Sequence, residues 1–193
     1  MDLELRCRCG GVTGTARDLR RGNTNRIVCH CDDCRAFISS LDRDDLIDAH
    51  GGVDIVQLRP AQLALAIDDD TLRCLRLSDK GMWRWHTACC NTPIGNTMGP
   101  SMPFIGMSAG IFADAGALDA AVGPAVGVQG KLATTKSPTA HDTVPPLMMV
   151  KLMRFLLGGL VRRAHKPSPV YREDGNERVT PRVLSATERD ALR

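Results

Sequence analysis

Short apolar runs separated by turn-forming residues fill the first 135 positions of the chain. Clusters of Gly, Pro, Asp and Ser punctuate these runs, as is typical of strands joined by tight turns. One segment, 41–50, is rich in Leu and Asp and closes at Gly51, which predicts a short helix. The runs with strand length lie at 53–58, 63–67, 72–77 and 104–112. The pattern therefore predicts a mainly β domain of short antiparallel strands over residues 1–135.

A different composition begins after the last of these runs. Residues 113–146 are rich in Ala, Gly, Pro and Thr, and only 126–132 has the character of a strand. We interpret this stretch as a loosely structured crossing. It leads to a tail, so the predicted division is a β domain over 1–135 followed by a crossing segment and helical tail over 136–193.

The tail contains one amphipathic segment, 147–164. Lys151 and Arg154 interrupt its apolar positions, and a spanning helix needs about 20 mostly apolar residues, so we expect no transmembrane span. The favoured interpretation is a helix that packs on its own domain or on a second copy of the chain. Peripheral contact with a membrane surface is the alternative. Ser185 and Glu188 have capping-box spacing, which predicts a short terminal helix.

Charge is distributed unevenly along the 193 residues, whose formal net charge is +3. Residues 1–144 carry 15 Lys and Arg against 17 Asp and Glu, whereas 145–193 carry 10 against 5. The basic tail would suit a phosphate or a membrane surface, or it is a solvated helix face. One Tyr, two Trp and four Phe offer few rings for stacking on bases, so we expect no nucleic-acid partner.

Three cysteines within six residues, Cys29, Cys31 and Cys34, carry the candidate chemistry. Residues two apart in an extended segment face the same side, so Cys29 and Cys31 can reach one ion. We expect the acidic pair at 32–33 to form a tight turn that returns Cys34. Three protein thiolates that leave one coordination position open are typical of a catalytic zinc site. The alternatives are chance clustering among the eight cysteines and a disulfide, which would be geometrically poor between such near neighbours.

A second cysteine group is split between distant segments. Cys7 and Cys9 have the same alternate spacing, and Cys89 with Cys90 follows far downstream. Together they would close a structural tetrahedron and staple the N-terminal strand to the rest of the sheet. His86 has the spacing of a zinc-knuckle ligand, so His86 and Cys90 both stay open as the fourth ligand. The isolated Cys74 is predicted to be a small buried apolar side chain.

Cysteine use also bears on the compartment. Eight cysteines are fewer than a disulfide scaffold of this length would have, and the N-terminal residues contain no apolar run typical of a signal peptide. Reduced thiols in the cytoplasm are therefore the expectation.

Several motifs in order along the chain resemble one known family. They are Cys7-x-Cys9-Gly10-x-Val12, Cys29-His30-Cys31-x-x-Cys34-Arg35, and Ser78-x-x-Gly81-x-x-Arg84-Trp85 with Thr92-Pro93 beyond the last cysteines. This series is similar to the glutathione-dependent formaldehyde-activating (GFA, or CENP-V/GFA domain) family over about residues 5–96.

The resemblance implies a β-tent fold with two zinc ions, one structural and one catalytic. The structural ion would lie at Cys7, Cys9 and the Cys89 region, and the catalytic ion at Cys29, Cys31 and Cys34. It further implies a carbon-sulfur lyase activity that joins formaldehyde to the thiol of glutathione. The family usually has Phe-Cys-x-x-Cys-Gly where this chain has Trp85-His86-Thr87-Ala88-Cys89-Cys90, which marks a divergent branch.

Two hypotheses of different classes follow. In the first, an enzyme uses a thiol made nucleophilic by the open metal site. Arg35 would bind a carboxylate of a glutathione-like cofactor or is a surface charge, and His30 is a weaker candidate for a proton carrier. In the second, a zinc-stabilised module without catalysis contacts a partner or a membrane through its basic tail. The sequence leaves the oligomeric state open.

Overall fold

The computed structural model describes residues 1–192, and over this range the fold is mainly β with a few short helices, as predicted. The helices are α1 (Asp32–Ser39), α2 (Ala115–Val122), α3 (Pro146–Val161) and α4 (Ala186–Asp190). The strands are β1 (Leu3–Arg6), β2 (Thr13–Ala16), β3 (Asn25–Cys29), β4 (Val53–Leu58), β5 (Leu63–Ala66), β6 (Leu72–Arg76), β7 (Trp83–Thr87), β8 (Pro93–Thr97), β9 (Ile105–Ser108), β10 (Val126–Val128) and β11 (Arg182–Val183).

The strands form two sheets. A small antiparallel sheet has the order β1-β2-β5, and a large one has the order β10-β3-β4-β9-β8-β7-β6-β11. Neighbours in the large sheet are antiparallel except at its two edges, where β10 runs parallel to β3 and β11 parallel to β6. Both parallel partners come from late in the chain, so residues after 122 complete the large sheet.

Strand alternation builds a separate apolar core on each face of the large sheet. Along β4, Val53 and Ile55 belong to the core that contains the residues of α1, while Val56 and Leu58 belong to the core shared with the small sheet. Successive side chains of a strand face opposite ways, so one apolar run serves both layers. Helix α1 therefore covers one face of the large sheet and the small sheet covers the other.

The C-terminal tail packs on the β structure. The Tyr171 hydroxyl hydrogen bonds to Thr97 Oγ1 at 2.7 Å, and Trp85 Nε1 donates to the same oxygen at 3.0 Å. Helix α4 begins with the predicted capping box of Ser185 and Glu188. Over residues 1–192, no helix has both the length and the apolar character needed to cross a bilayer.

Several local predictions are wrong. The predicted strand at 104–112 covers only Ile105–Ser108, and the one at 126–132 covers only Val126–Val128; a 3-10 turn follows each. The segment 41–50 contains only a single 3-10 turn, Asp44–Leu46, because the helix forms earlier, as α1, and Ile47 then bridges to Val53 as extended backbone. The segment 113–146 is more ordered than expected, since the Asp114 side chain accepts a hydrogen bond from the Ala117 amide and caps α2.

Candidate metal centres

Cys29, Cys31 and Cys34, here called the thiolate trio, meet where β3 passes into α1. Cys29 ends the strand, Cys31 is the N-cap residue of the helix, and Cys34 lies in its first turn. The predicted tight turn at 32–33 is therefore a helix start, and its two aspartates suit the positive end of the helix dipole. The structure thus brings together the three side chains that the sequence proposed.

The geometry of the thiolate trio fits a tetrahedral ion. The Sγ atoms of Cys29 and Cys31 are 3.4 Å apart, and all three sulfurs lie within 4.8 Å of one another. Zinc–sulfur bonds of about 2.3 Å place tetrahedral sulfurs about 3.8 Å apart, so small shifts suffice. Within residues 1–192 no fourth Cys, His, Asp or Glu atom joins this group. Cys31 is half-buried while the other two are buried, so solvent approaches from its side.

The electrostatics show how strongly these thiols affect one another. Hydrogen bonds from Cys29 and then Cys34 lower the pKa of Cys31 to about 2, with a further contribution from the charge of Arg84. The bond to Cys31 raises the pKa of Cys29 to about 11, and the pKa of Cys34 is raised by its bonds to both neighbours. The ionised form is therefore favoured at Cys31 and disfavoured at Cys29 and Cys34. A bound cation is needed to keep all three thiols ionised.

A small cavity lies beside the thiolate trio, between α1 and the large sheet. Its volume is about 10 Å³, room for about one water molecule. Cys34 and Phe37 line it from the helix, and Arg84, Asn96 and Ser108 line it from the strands. The surface of this confined space is mostly apolar, and Arg84, Asn96 and Ser108 lie in its lining next to a sulfur ligand.

Arg84 is the group in this cavity that the sequence did not assign to the site. Its side chain is 4% exposed, and Nη2 lies 3.7 Å from the carboxylate of Asp33. Its Nε and Nη1 are buried and have no hydrogen-bond partner among residues 1–192. A buried guanidinium with unused donors is costly. The sequence did offer one indication of this position. Side chains alternate along β7, so Arg84 lies on the face opposite the buried Trp85.

Arg35 and His30 have contacts of their own. Arg35 Nη1 donates to the carbonyl oxygens of His30 at 2.8 Å and Leu132 at 3.0 Å, and Nη2 pairs with Asp32. His30 is 1% exposed, and its Nδ1 lies 3.0 Å from the Val128 carbonyl oxygen. Both side chains therefore tie the segment of the thiolate trio to the chain around β10.

The second group, here called the cysteine tetrad, consists of Cys7, Cys9, Cys89 and Cys90. Its Sγ distances are 3.5 Å for Cys7–Cys9, 3.4 Å for Cys9–Cys89 and 3.7 Å for Cys89–Cys90. These values again approach the tetrahedral sulfur spacing of about 3.8 Å. Because Cys7 and Cys9 follow β1 whereas the other two lie between β7 and β8, the tetrad links the small sheet to the large one.

Polar neighbours support thiolates in the tetrad. The Val12 amide donates to Cys7 Sγ at 3.2 Å. Burial alone would raise the pKa of Cys90, but hydrogen bonds with the hydroxyls of Thr87 and Thr92 lower it to about 5. For Cys89, burial and the neighbouring thiols raise the pKa to about 12. As in the thiolate trio, these sulfurs become jointly ionised only around a cation.

The structure places Cys90, and not His86, with the tetrad. The ring of His86 instead packs edge-on against Phe37, with 6.5 Å between centroids. Burial, together with the charge of Arg73, lowers the pKa of His86 to about 4, so the imidazole is neutral at pH 7. All eight cysteines are free thiols, and Cys74 is buried in the core as predicted.

Two cysteine groups on a two-sheet scaffold define this chain as a β protein whose cysteines could hold metal ions. The chain belongs to a family of unknown function (DUF6151), whose model matches residues 2–180. No curated protein matches it. The matched range includes both cysteine groups, Arg84 and helix α3.

Proposed function

We propose that the thiolate trio is the reactive centre of a zinc-dependent carbon-sulfur lyase that acts on the adduct of a small thiol and an aldehyde. The observation that carries this proposal is the convergence of three sulfurs with no fourth protein ligand in the described chain. A closed site would have four protein ligands, as the cysteine tetrad has. The motif resemblance to the formaldehyde-activating family supports the same chemistry.

Each group has a separate role in this proposal. Cys29, Cys31 and Cys34 hold the ion, and the half-buried side of Cys31 is where a thiol such as glutathione approaches. Zinc, when bound, supplies the positive charge that favours loss of the thiol proton at neutral pH. The tetrad holds the second, structural zinc.

The cavity beside Cys34 suits only a very small second substrate. With room for about one water molecule, it must open slightly to admit even the smallest aldehyde, and a larger aldehyde is disfavoured further. As the carbon-sulfur bond forms, the carbonyl electron pair moves onto oxygen, which then takes a proton from solvent. Arg84, with two unused donors, stabilises the negative charge on that oxygen, and the reverse sequence releases thiol and aldehyde.

The test is exchange between glutathione, formaldehyde and S-hydroxymethylglutathione, followed by NMR in the presence of zinc-loaded protein. Exchange faster than in buffer is expected for the wild type and not for Cys31→Ser. Cys74→Ala is the matched control, because it removes a thiol outside both groups. Exchange at the buffer rate with the zinc fully loaded would reject these substrates.

A non-catalytic zinc-stabilised module is the second candidate. The small size of the cavity lined by Cys34 favours it, since sites for small-molecule ligands are usually far larger. This hypothesis predicts full metal loading and unchanged folding with no acceleration for any thiol and aldehyde pair.

A further inference from the structure

Helix α3 carries most of the exposed large apolar side chains of the chain. Seven of the eleven found within residues 1–192 lie on these 16 residues. Val161 is 86% exposed and Leu147 is 68% exposed. A contiguous apolar face of this kind marks an interaction surface rather than ordinary solvent exposure. The seven, here called the apolar stripe, are Leu147, Met149, Val150, Met153, Leu157, Leu160 and Val161.

A strongly basic groove, here called the cationic cleft, adjoins the apolar stripe. Five cationic side chains and no acidic one line its volume of about 320 Å³, namely Arg21, Arg59, Lys151, Arg154 and Arg162. Arg154 connects the two surfaces, because it lies four residues after Val150 and three before Leu157, on the same side of the helix. Cations and apolar side chains therefore form one continuous surface.

Arg59 anchors the cationic cleft to helix α3. Its guanidinium stacks on Phe155 at 4.5 Å, and Nη2 donates to the Phe155 carbonyl oxygen at 3.1 Å. Its Nε is buried with no hydrogen-bond partner among residues 1–192. Burial and then the charge of Arg162 lower the pKa of Arg59, so its charged form is disfavoured as the site stands.

The charge of the sequence around α3 distinguishes between two possible partners for this face, a second copy of the chain and an anionic surface. Residues 143–172 contain six Lys and Arg and no Asp or Glu. Two copies meeting through α3 would bring like charges together, which opposes self-association on this face. An anionic surface would instead relieve that repulsion.

We propose that α3 and the cationic cleft dock the protein on an anionic phospholipid bilayer. The helix, about 24 Å long, lies in the plane of the interface with the apolar stripe at the boundary between headgroups and acyl chains. A lipid phosphate occupies the cationic cleft, whose lining within the described chain has five cationic side chains and no acidic one. This docking does not depend on the activity proposed for the thiolate trio.

Sedimentation of the full-length protein with vesicles tests the proposal. At about 0.1 M salt we expect binding to vesicles of phosphatidylcholine mixed with phosphatidylglycerol and little binding to phosphatidylcholine alone. Removing each cation should weaken partitioning about fivefold, so Arg154→Gln with Arg162→Gln should weaken it about 25-fold. The pair Leu157→Ser and Val161→Ser should weaken it by about tenfold or more.

The control variants make the same kinds of substitution at exposed positions outside the apolar stripe and the cationic cleft. Met98→Ser with Val183→Ser changes exposed apolar residues outside α3, and Lys131→Gln with Lys136→Gln removes two exposed cations outside the cleft. Both control pairs should bind as the wild type does. Absence of binding, equal binding to neutral vesicles, or equal loss in the controls would overturn the proposal. So would a stable dimer that Leu157→Ser dissociates.

Discussion

The Sγ atoms of Cys7 and Cys89 lie 3.9 Å apart although 82 positions separate them in the chain. The thiolate trio, in contrast, closes a loop of only six residues. Loop-closure entropy grows with the length of the loop, so a metal in the tetrad constrains the unfolded chain far more than a metal in the trio. The two centres therefore differ in what they contribute to stability.

Cys89→Ser should strongly destabilise the protein. We expect the loss of one zinc per chain and a fall in the melting temperature of about 10 °C or more, since a structural zinc supplies folding free energy directly. Metal analysis together with calorimetry measures both. Cys74→Ala, the control, should keep both ions; an unchanged melting temperature in Cys89→Ser would refute the structural role of the tetrad.

Cys31→Ser should also lose one zinc per chain but lower the melting temperature by only a few degrees. The reason is that its partners are local and its own side chain is half-buried. The same two measurements apply. A larger thermal effect in Cys31→Ser than in Cys89→Ser would reverse the assignment of the two centres.

Arg84→Met should separate activity from stability. Removing a buried guanidinium with two unpaired donors should change the free energy of unfolding by less than about 2 kcal/mol. The lyase rate should fall about 100-fold, as expected for loss of a group that stabilises a developing oxyanion. The measurements are the lyase rate and urea unfolding, each compared between wild type and Arg84→Met at equal zinc content. Full activity in Arg84→Met would remove Arg84 from the proposed chemistry.

His86 should make the fold sensitive to acid. Its pKa in the folded state, about 4, is below the ordinary value of 6.5, so the unfolded chain binds its proton first. The contribution of the neutral ring to stability is complete above pH 6.5 and is lost as the pH falls toward 4. We therefore expect the stability difference between wild type and His86→Gln to shrink between pH 7.5 and 5 in urea unfolding. A difference independent of pH would contradict this.

Tyr171→Phe should test how the tail is held. Its hydroxyl bonds to Thr97 in a buried site, so removal should cost about 1–2 kcal/mol in the free energy of unfolding. Arg182→Ala breaks a solvent-exposed pair with Glu188 and should change the free energy of unfolding much less. Equal effects of the two changes in urea unfolding would show that the bond to Thr97 contributes nothing.

Local patterns in the sequence predicted much of the fold. The alternating apolar residues of β4 and the capping box at Ser185 depend on neighbouring positions, and both were found as predicted. The helical segment of the tail was placed within a few residues of α3. Strands β2, β7 and β8 were not assigned, because their runs mix Gly, Thr, Arg and Asn with few apolar residues and gain their order from pairing.

Only the part of the candidate site whose residues are close in sequence could be predicted. The spacing of Cys29, Cys31 and Cys34 is enough to bring three sulfurs together. Whether His86 or Cys90 completes the tetrad depends on the backbone turn between β7 and β8, which no local pattern specifies. Arg84 enters the site from a different strand, so its role depends on how α1 packs across the sheet.

The most direct test of the open site is zinc K-edge X-ray absorption on the protein loaded with two zinc ions. One closed tetrad and one open trio predict an average of about 3.5 sulfur and about 0.5 oxygen or nitrogen neighbours per zinc. Adding a small thiol should raise the average to about 4 sulfurs. An average of four sulfurs before any thiol is added, or no change on its addition, would contradict the account.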